Sequence, residues 1–204
     1  MTIKSNSPAS VRNREPILDV LKIEFRDCKS ILEIGSGTGQ HAVFFGKSMP
    51  WLTWQTSDLV ENHQSINSWV ADAKLSNVRH PILLDVQQSD DVNGEYNGIF
   101  SANTAHIMSI STVQRMFNVC GRLLSDGGVF CLYGPFNQDG KFNSDSNKYF
   151  HHSLRNQDPA MGIRDLEELN AFAAESMMLP KRLYGMPANN LLMVWHKKET
   201  EESL

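Results

Sequence analysis

The sequence predicts an α/β protein in which a parallel sheet carries helices on both faces. Three observations point to this fold class: strand-like and helix-like segments alternate about five times, a glycine cluster directly follows the first strand-like segment, and two strand-like segments end the pattern. Alternation of this kind requires crossover helices and therefore parallel strands. Parallel sheets bind ligands at the carboxyl ends of their strands, so the candidate site residues are those that follow the strands.

The composition is that of an ordinary globular chain. The 204 residues are 41% hydrophobic and 21% charged, which fits a single domain over residues 1–204 and excludes a disordered chain. The formal net charge of −4 argues against broad binding to nucleic acid. No apolar run approaches the roughly 20 residues of a membrane span, and the first residues lack the apolar segment of a secretory signal. Three cysteines without a C-x-x-C pair predict neither disulfides nor a metal site, so we expect a cytoplasmic protein.

The predicted helices and strands are separated by short polar turns. Residues 1–14 are polar and predict an N-terminal arm, and Pro16 then opens a helical pattern with one apolar face. Short apolar or β-branched runs predict the strands, and apolar side chains three and four residues apart predict the helices. The strands are predicted at 31–34, 51–57, 81–85, 96–102 and 129–133, and the following helices at 41–48, 62–74, 111–124 and 165–177.

Three other segments complete the predicted architecture. Residues 125–128 predict a tight turn. Residues 134–162 are rich in Asn, Asp, Ser and Gly, and a loop of this length in a small domain is usually a substrate lid or a binding loop. Residues 182–186 and 191–196 predict an antiparallel hairpin, and residues 197–204 predict a solvated tail.

The glycine loop after the first predicted strand is the strongest functional signal. Residues 33–39 read EIGSGTG, a G-x-G-x-G spacing that differs from the G-x-G-x-x-G of dinucleotide-binding loops. Glycine permits a tight turn and lets a ligand approach the bare backbone, and the amides at the start of the next helix point at that ligand. Glu33, two residues before the first glycine, suits a ligand with a cationic amino group. A strand–helix turn that binds nothing is the alternative.

Two further acids follow the second and third predicted strands. Asp58 lies where an acid typically accepts both ribose hydroxyls of an adenosine ligand, a role that fits NAD and other adenosyl ligands equally. Asp85 can accept from an adenine amino group, with the amide of Val86 facing a ring nitrogen. Either acid alone is more often a helix cap or a loop acid. Three acids at the ends of three successive strands together predict a ligand site.

The fourth and fifth predicted strands end in the candidate catalytic residues. Asn103 and His106 follow the fourth strand, and His106 is a candidate general base because its ordinary pKa lies near neutrality. The alternative is that His106 caps a turn or lines the pocket. Tyr133 either donates a hydrogen bond to a substrate or simply finishes the fifth strand.

Three arginines are candidate contacts for a substrate. Arg14 stands with Arg12 and Asn13 in the predicted arm, which would fold over the pocket; a frayed terminus is the alternative. Arg155 and Arg164 lie in or beside the predicted lid and would bind an anionic substrate. A solvated surface arginine is the alternative for Arg155 and Arg164.

Residues 30–133 resemble the core of the class I S-adenosylmethionine (SAM) dependent methyltransferases. The motifs that carry this resemblance are LEIGSGTG, Asp58, LDV and LLSDGGVFCLYGPF, and the terminal hairpin fits the seventh-strand insertion of that fold. RNREPIL, ILEIGSGTGQHA, SANTAHIMS, YGPF, DPAMGIRDLEEL and MPANNL together resemble a small, single-domain methyltransferase-like family of unknown function. The resemblance implies a doubly wound, Rossmann-like, mostly parallel seven-stranded sheet with order 3-2-1-4-5-7-6, in which strand seven is antiparallel.

The resemblance also implies roles for the residues at the strand ends. The glycine loop with Glu33 would hold the methionine end of SAM, Asp58 the ribose, and Asp85 with Val86 the adenine, while Asn103 would lie beside the methyl group. The implied cofactor-binding residues are Glu33, Gly35, Ser36, Gly37, Thr38, Gly39, Asp58, Leu59, Asp85, Val86 and Asn103.

The leading functional hypothesis is a SAM-dependent methyltransferase that acts on a small molecule and releases S-adenosylhomocysteine (SAH). His106, Asn103 and Tyr133 would serve the chemistry. An NAD(P)-dependent oxidoreductase is one alternative, which the glycine spacing disfavours, and a non-catalytic SAM-fold binding or activator subunit is the other. A protein substrate stays open. Nucleic acid is disfavoured, because Asn-Thr-Ala-His stands where enzymes that methylate amino groups often have Asn-Pro-Pro-Tyr.

Overall fold

Two apolar cores flank a seven-stranded sheet in the computed structural model, which describes residues 4–88 and 92–199. The strands are β1 (Ser30–Ile34), β2 (Thr53–Asp58), β3 (Val78–Leu83), β4 (Tyr96–Ala102), β5 (Leu124–Gly134), β6 (Phe136–Asn137), β7 (Arg164–Asp165), β8 (Met178–Met186) and β9 (Asn190–Lys197). The helices are α1 (Pro8–Glu24), α2 (Gln40–Ser48), α3 (His63–Ala73), α4 (Ile110–Leu123), α5 (Asp145–Gln157) and α6 (Leu166–Glu175), with a short 3₁₀ helix at Val60–Asn62.

The strand order of the large sheet is β3-β2-β1-β4-β5-β9-β8. The first five strands are parallel, and β9 runs antiparallel to both β5 and β8. Counting only the strands of this sheet, the order is 3-2-1-4-5-7-6, which confirms the predicted fold class. The short strands β6 and β7 pair with each other outside it. Ile34 of β1 lies beside Ser57 of β2 and Ser101 of β4, so the carboxyl ends of these central strands meet at one edge.

Aromatic side chains fill the core on each face of the sheet. On the face that includes α1, α2 and α3, the Phe45 ring meets Phe100 edge-on at 5.5 Å, and both rings pack against Trp54. On the face covered by α4 and α6, Phe117 meets Trp195 edge-on at 5.1 Å. Such rings bury large apolar areas in specific geometries, so they hold the helices firmly against the strands that carry the site.

The first helix begins earlier than predicted. Ser7 caps α1 by accepting a hydrogen bond from the Ser10 amide, and Pro8 occupies a first-turn position. The predicted arm is therefore wrong for residues 8–14, which are helical, and Pro16 lies inside the helix rather than at its start. A serine followed by proline is itself a helix-start signal. Residues 1–3 of the predicted arm lie outside the described residues.

The predicted lid is not a loop throughout. Residues 145–157 form α5, which Ser144 caps by accepting from the Asn147 amide at 3.1 Å. Only Asn147 and Leu154 of this helix are buried, so its apolar pattern is too weak to read from the sequence. The predicted turn at 125–128 is a register shift inside β5, where the chain bulges between two stretches of pairing with β4.

Several element ends also differ from the predictions. The third strand begins at Val78 rather than residue 81, and β8 begins at Met178 rather than residue 182. Asp165 caps α6 instead of belonging to it. Lys197 ends β9 and its Nζ donates to the Leu124 carbonyl at 2.7 Å, so the predicted solvated tail is wrong at this residue. Residues 200–204 of that tail lie outside the described residues.

Candidate functional site

Two adjoining cavities open at the carboxyl edge of the central strands. The smaller, about 390 Å³, is bordered by Asp58 and Asp85, and we refer to it as the acidic cavity. The larger, about 660 Å³, is bordered by His41 and His106, and we refer to it as the histidine cavity. The residues that border both cavities are Gly35, Gly37, Ala102 and Asn103. The glycine loop and the end of β4 therefore form the junction between them.

The glycine loop is held open by its backbone conformation. Gly35 and Gly37 have φ of +72° and +57°, in the left-handed region that favours glycine. The amides of Gly35 and Ser36 both donate to the Ser57 carbonyl, at 3.1 and 3.0 Å, which fixes the loop to β2. A Cβ on Gly37 would meet no atom within 4 Å, so the backbone here faces open space. A ligand can thus approach the main chain closely at Gly37.

The last glycine of the motif lies at the start of α2 and not beside the cavities, unlike the first two glycines. Gly39, with φ of +92°, caps α2 and borders neither cavity. A Cβ here would lie 2.9 Å from the Cα of Ile66, so this glycine permits close packing of the loop on α3. Gly39 therefore lies outside both cavities, and its direct role in cofactor binding stays a prediction. Ser36 and Thr38 border the histidine cavity.

The carboxylate of Asp58 is the polar centre of the acidic cavity. Its Oδ2 accepts from the Gly37 amide at 2.6 Å, and its Oδ1 accepts from the Leu59 amide at 2.7 Å and the Asn62 side chain at 2.8 Å. The side chain is nearly buried and borders the cavity beside Leu59. A carboxylate fixed in this way presents its remaining lone pairs to a ligand in a defined direction.

Asp85 and Val86 border the same cavity from the segment that follows β3. Asp85 Oδ1 accepts from the Gln87 amide at 2.9 Å, which fixes the carboxylate beside the cavity wall. Apolar side chains complete this part of the wall, including Leu84 and Met108. An apolar slot with an acid at one end suits a flat ring that carries a hydrogen-bond donor.

Glu33 lies beneath the glycine loop instead of on its surface. Its Oε2 accepts from Trp54 Nε1 at 3.1 Å and from the Ser36 hydroxyl at 2.8 Å, and it borders neither cavity. Glu33 therefore lies outside both cavities in this structure, and its contact with a cationic ligand group stays a prediction. Burial raises the pKa of Glu33 to about 7. This carboxyl supports the loop from below through Ser36.

His106 is a buried polar side chain that borders the histidine cavity. It is only 7% exposed, and within residues 4–88 and 92–199 its ring nitrogens have no hydrogen-bond partner. The ring of Phe150 meets it edge-on at 5.3 Å. Burial, followed by the charge of Arg164, lowers the pKa of His106 to about 4. The imidazole is therefore neutral at pH 7 and presents one donor and one acceptor to the cavity.

Asn103 connects the end of β4 with both cavities. Its φ of +61° is uncommon for a residue other than glycine, and its amide donates to the Tyr133 carbonyl at 2.9 Å. Residues held in this conformation cluster at ligand sites. The structure thus brings Asn103 together with the glycine loop and His106, as the sequence predicts.

Tyr133 lies outside both cavities, whereas His41, which the sequence analysis missed, borders the histidine cavity. Tyr133 is buried, borders neither cavity and pairs with the Asn13 side chain, which fits the alternative that it finishes the strand; its contact with substrate stays a prediction. Asn13 Oδ1 also lies 2.8 Å from His41 Nε2. His41 stacks on Phe45 and borders the histidine cavity, and burial lowers its pKa to about 4. Its place in the first turn after the glycine loop was the available signal.

None of the three predicted substrate arginines borders either cavity, and their contact with substrate stays a prediction. Arg164 is buried and donates to the carbonyls of Ala105, Met108 and Ala160, so it fastens the predicted lid segment to the turn after β4. Arg155 is exposed outside both cavities, and Arg14 packs over the Phe44 ring at 4.6 Å. The arginine that borders the histidine cavity is Arg12.

The described residues show no sign of a metal site or a membrane span. In residues 4–88 and 92–199, no three His, Cys, Asp or Glu side chains gather closely enough to hold a metal ion. No helix in the same part of the chain has both the length and the apolar character needed to cross a membrane.

Comparison with known proteins adds a family and a fold. A family model described as "Protein of unknown function (DUF938)" matches residues 4–197. An O-methyltransferase family protein from Burkholderia thailandensis superposes with a TM-score of 0.82 at 13% identity, covering 95% of this chain and 58% of that one. PigF with SAH gives 0.77 at 16% identity, covering 94% and 64%. An O-methyltransferase family 2 protein from Planctomyces limnophilus, in complex with apigenin, gives 0.80 at 14% identity, covering 93% and 58%.

These comparisons establish the class I methyltransferase fold. The chain spans less than two thirds of the length of each of these three solved structures. The sequence identities are low, so the similarity is one of fold.

Proposed function

The chain belongs to the DUF938 family of proteins of unknown function, and within that family we propose that it is a SAM-dependent methyltransferase acting on a small-molecule acceptor. The observation that carries the proposal is the junction of two cavities at Gly35, Gly37 and Asn103. A bipartite ligand with a nucleoside and an amino-acid arm needs such a junction, with the reacting atom between its two parts. The fold that the chain shares with known methyltransferases supports the same conclusion.

The acidic cavity fits the nucleoside part of the cofactor. The fixed carboxylate of Asp58 would accept from the ribose hydroxyls, and Asp85 at the far end would accept from the adenine amino group. Leu59 and Val86 belong to the wall on either side. The open backbone at Gly37 leaves room for the ligand to pass from one cavity into the other. Ser36, Thr38 and Asn103 would surround the amino-acid arm.

SAM, when bound, supplies a methyl group that is already activated by a sulfonium. The task left to the protein is to align the acceptor with this methyl group and to keep water away, since alignment alone contributes several kcal/mol. His106 is placed to accept a hydrogen bond from the acceptor's O–H or N–H. A methylated hydroxyl or amine becomes far more acidic, so even an imidazole with a lowered pKa can take its proton.

The remaining walls of the histidine cavity favour a small acceptor. Pro135, Asn147 and Phe150 border it from β5–β6 and α5, and Ala188 borders it from the hairpin between β8 and β9. Asn147 Nδ2 donates to the Asn189 carbonyl at 3.0 Å, which links α5 to that hairpin. The acceptor side is therefore enclosed by two elements that hold each other in place. Phe150 and the neutral histidines suit a partly apolar molecule.

The proposal is tested with SAM that carries a radiolabelled methyl group. The protein is incubated separately with the small-molecule fraction and with the macromolecular fraction of an extract of its source cells. We expect label in the small-molecule fraction and none with the His106→Asn variant. Label confined to protein or nucleic acid would contradict a small-molecule acceptor. Binding of SAM without transfer to either fraction would instead support a non-catalytic module.

A further inference from the structure

One charged side chain without a counter-charge, the exposed Arg12, borders the histidine cavity. Arg12 borders the cavity from α1, and among the described residues it makes no ion pair. None of the described residues bordering this cavity is acidic, whereas the acidic cavity contains Asp58 and Asp85. An unpaired guanidinium on the wall of a cavity is matched by an anionic group on the ligand.

The start of α1 adds a second source of positive potential at the same wall. Ser7, Ala9 and Ser10 border the cavity, and the first turn of this 17-residue helix contains no acidic side chain. Helix N-termini carry a partial positive charge that favours anions; here Pro8 has no amide hydrogen and the Ser10 amide is already paired with Ser7, so the effect is that of the helix dipole. Ala9 and Arg12 are three residues apart and so lie on one face of the helix. The guanidinium and the helix terminus therefore act on the same space.

The position of this helix start is fixed by contacts with the glycine loop and α3. The Ser7 amide donates to Gln40 Oε1 at 2.5 Å, and Trp69 Nε1 donates to the Ser5 carbonyl at 2.8 Å. Gln40 Oε1 also accepts from the Thr38 hydroxyl at 3.0 Å. The first turn of α1 is thus part of the wall itself, and its charge is pre-organised toward the cavity.

His106 independently indicates that a polar ligand belongs in this cavity. It is a buried imidazole that borders the cavity and, in the described part of the chain, has no hydrogen-bond partner. Its neutral ring offers one donor and one acceptor to the cavity, and a polar ligand there can pair with them. The cavity therefore has a polar group to be satisfied and an uncompensated positive wall.

We propose that Arg12 and the first turn of α1 form a binding subsite for a carboxylate in the histidine cavity. A planar carboxylate matches the fork of a single guanidinium, and its one negative charge matches the single formal charge on this wall. The inference rests on the proposed function, which supplies two sources of that carboxylate: the amino-acid arm of the cofactor, or an acidic group of the methyl acceptor. Both would place an anion beside the glycine loop.

Two cofactor fragments distinguish the sources and separate this inference from the proposed function. SAH carries the carboxylate, whereas 5′-methylthioadenosine retains the adenosine and the thioether and lacks the amino-acid group. Binding of both is measured by calorimetry for the wild type, Arg12→Gln, Arg12→Lys and the control Arg26→Gln. Arg26 is exposed just beyond the other end of α1 and pairs with Asp27, so the control removes the same charge away from the cavity.

If the carboxylate is that of the cofactor, Arg12→Gln weakens SAH binding by about tenfold while 5′-methylthioadenosine binding stays within about twofold. Arg12→Lys should retain part of the affinity, and Arg26→Gln all of it. If the carboxylate belongs to the acceptor, SAH binding is unchanged, but SAH-loaded wild type binds benzoate in preference to benzamide and Arg12→Gln loses that preference. Unchanged SAH binding together with no preference for benzoate would overturn the subsite. Failure of the wild type to bind either SAH or 5′-methylthioadenosine would overturn the proposed function instead.

Discussion

The Gly37 amide donates a hydrogen bond of 2.6 Å to Oδ2 of Asp58 and so joins the glycine loop to the end of β2. The other carboxylate oxygen accepts from Leu59 and Asn62 in the segment that follows. One side chain therefore shapes the loop and also borders the acidic cavity. We therefore expect ligand binding in the acidic cavity to be coupled to the conformation of the glycine loop through Asp58.

We predict that Asp58→Ala weakens SAH binding by at least about tenfold, because it removes both the ribose acceptor and the anchor of the Gly37 amide. The fold should persist, since the side chain lies at a strand end and contributes little core volume. Calorimetric titration with SAH and far-ultraviolet circular dichroism measure the two effects. Asp72→Ala, at an exposed carboxylate paired with Lys4, serves as the control. A folded Asp58→Ala protein with wild-type affinity would remove Asp58 from the proposed site.

Acid should destabilise the protein partly through His106. Its folded pKa of about 4 lies below the ordinary 6.5, so its contribution is present above pH 6.5 and is lost as the pH falls toward 4. The contribution amounts to at most roughly 3 kcal/mol. We expect His106→Gln to lose less unfolding free energy than the wild type between pH 7 and pH 4.5 in urea titrations. Parallel pH profiles for the two proteins would show that this imidazole is not held neutral by burial.

Glu33 should destabilise the protein as the pH rises, which is the opposite of the pH dependence expected from His106. Its folded pKa of about 7 lies above the ordinary 4.5, so its contribution is complete below pH 4.5 and is lost as the pH rises through 7. Glu33→Gln keeps an oxygen for the Trp54 and Ser36 donors but cannot ionise. The variant should gain unfolding free energy relative to the wild type as the pH is raised from 5 to 8, as urea titrations at each pH would show. A constant difference across this range would contradict the raised pKa.

Arg164 should matter for stability more than for ligand binding. Arg164→Ala leaves the carbonyls of Ala105, Met108 and Ala160 without their donor, and we expect a loss of about 3 kcal/mol in unfolding free energy. The exposed Arg155→Ala is the matched control and should change stability by less than about 0.5 kcal/mol. Chemical denaturation gives both values. Equal effects of the two substitutions would show that the three contacts do not fasten this segment.

The alternation of apolar runs and amphipathic segments predicts the centre of the sheet well, because strands such as β1 and β4 are largely buried. The bounds of β4 match the prediction, and those of α2 and α4 differ by one residue at each changed end. The failures occur where burial is sparse. Helix α5 buries only Asn147 and Leu154, so its sequence reads as a polar loop. The first turns of α1 are also polar, because the buried residues of this helix begin only at Ile17. The cap at Ser7 was the one sequence signal for a helix start there.

The sequence could predict only those site residues whose positions are determined by the end of a strand. Asp58 and Asn103 follow strands, and the parallel sheet brings them to the same edge as the glycine loop. Glu33 follows the same rule but turns under the loop, because Trp54 and Ser36 supply donors there. The orientation of a side chain at a strand end depends on such contacts, which periodicity does not encode. The sequence predicts that the arm with Arg12, Asn13 and Arg14 folds over the pocket, but which of its arginines borders the cavity depends on the docking of α1, a tertiary contact.

Thermal unfolding in the presence of SAH, and separately of NADH, tests the central claim most directly. A ligand at 100 times its dissociation constant stabilises a protein by about 2.7 kcal/mol, which for a domain of this size raises the midpoint by roughly 5–11 °C. The proposed site predicts a rise of this size with SAH and none with NADH. A rise with NADH alone, or no rise with SAH in a folded sample, would contradict the proposal that these two cavities bind SAM.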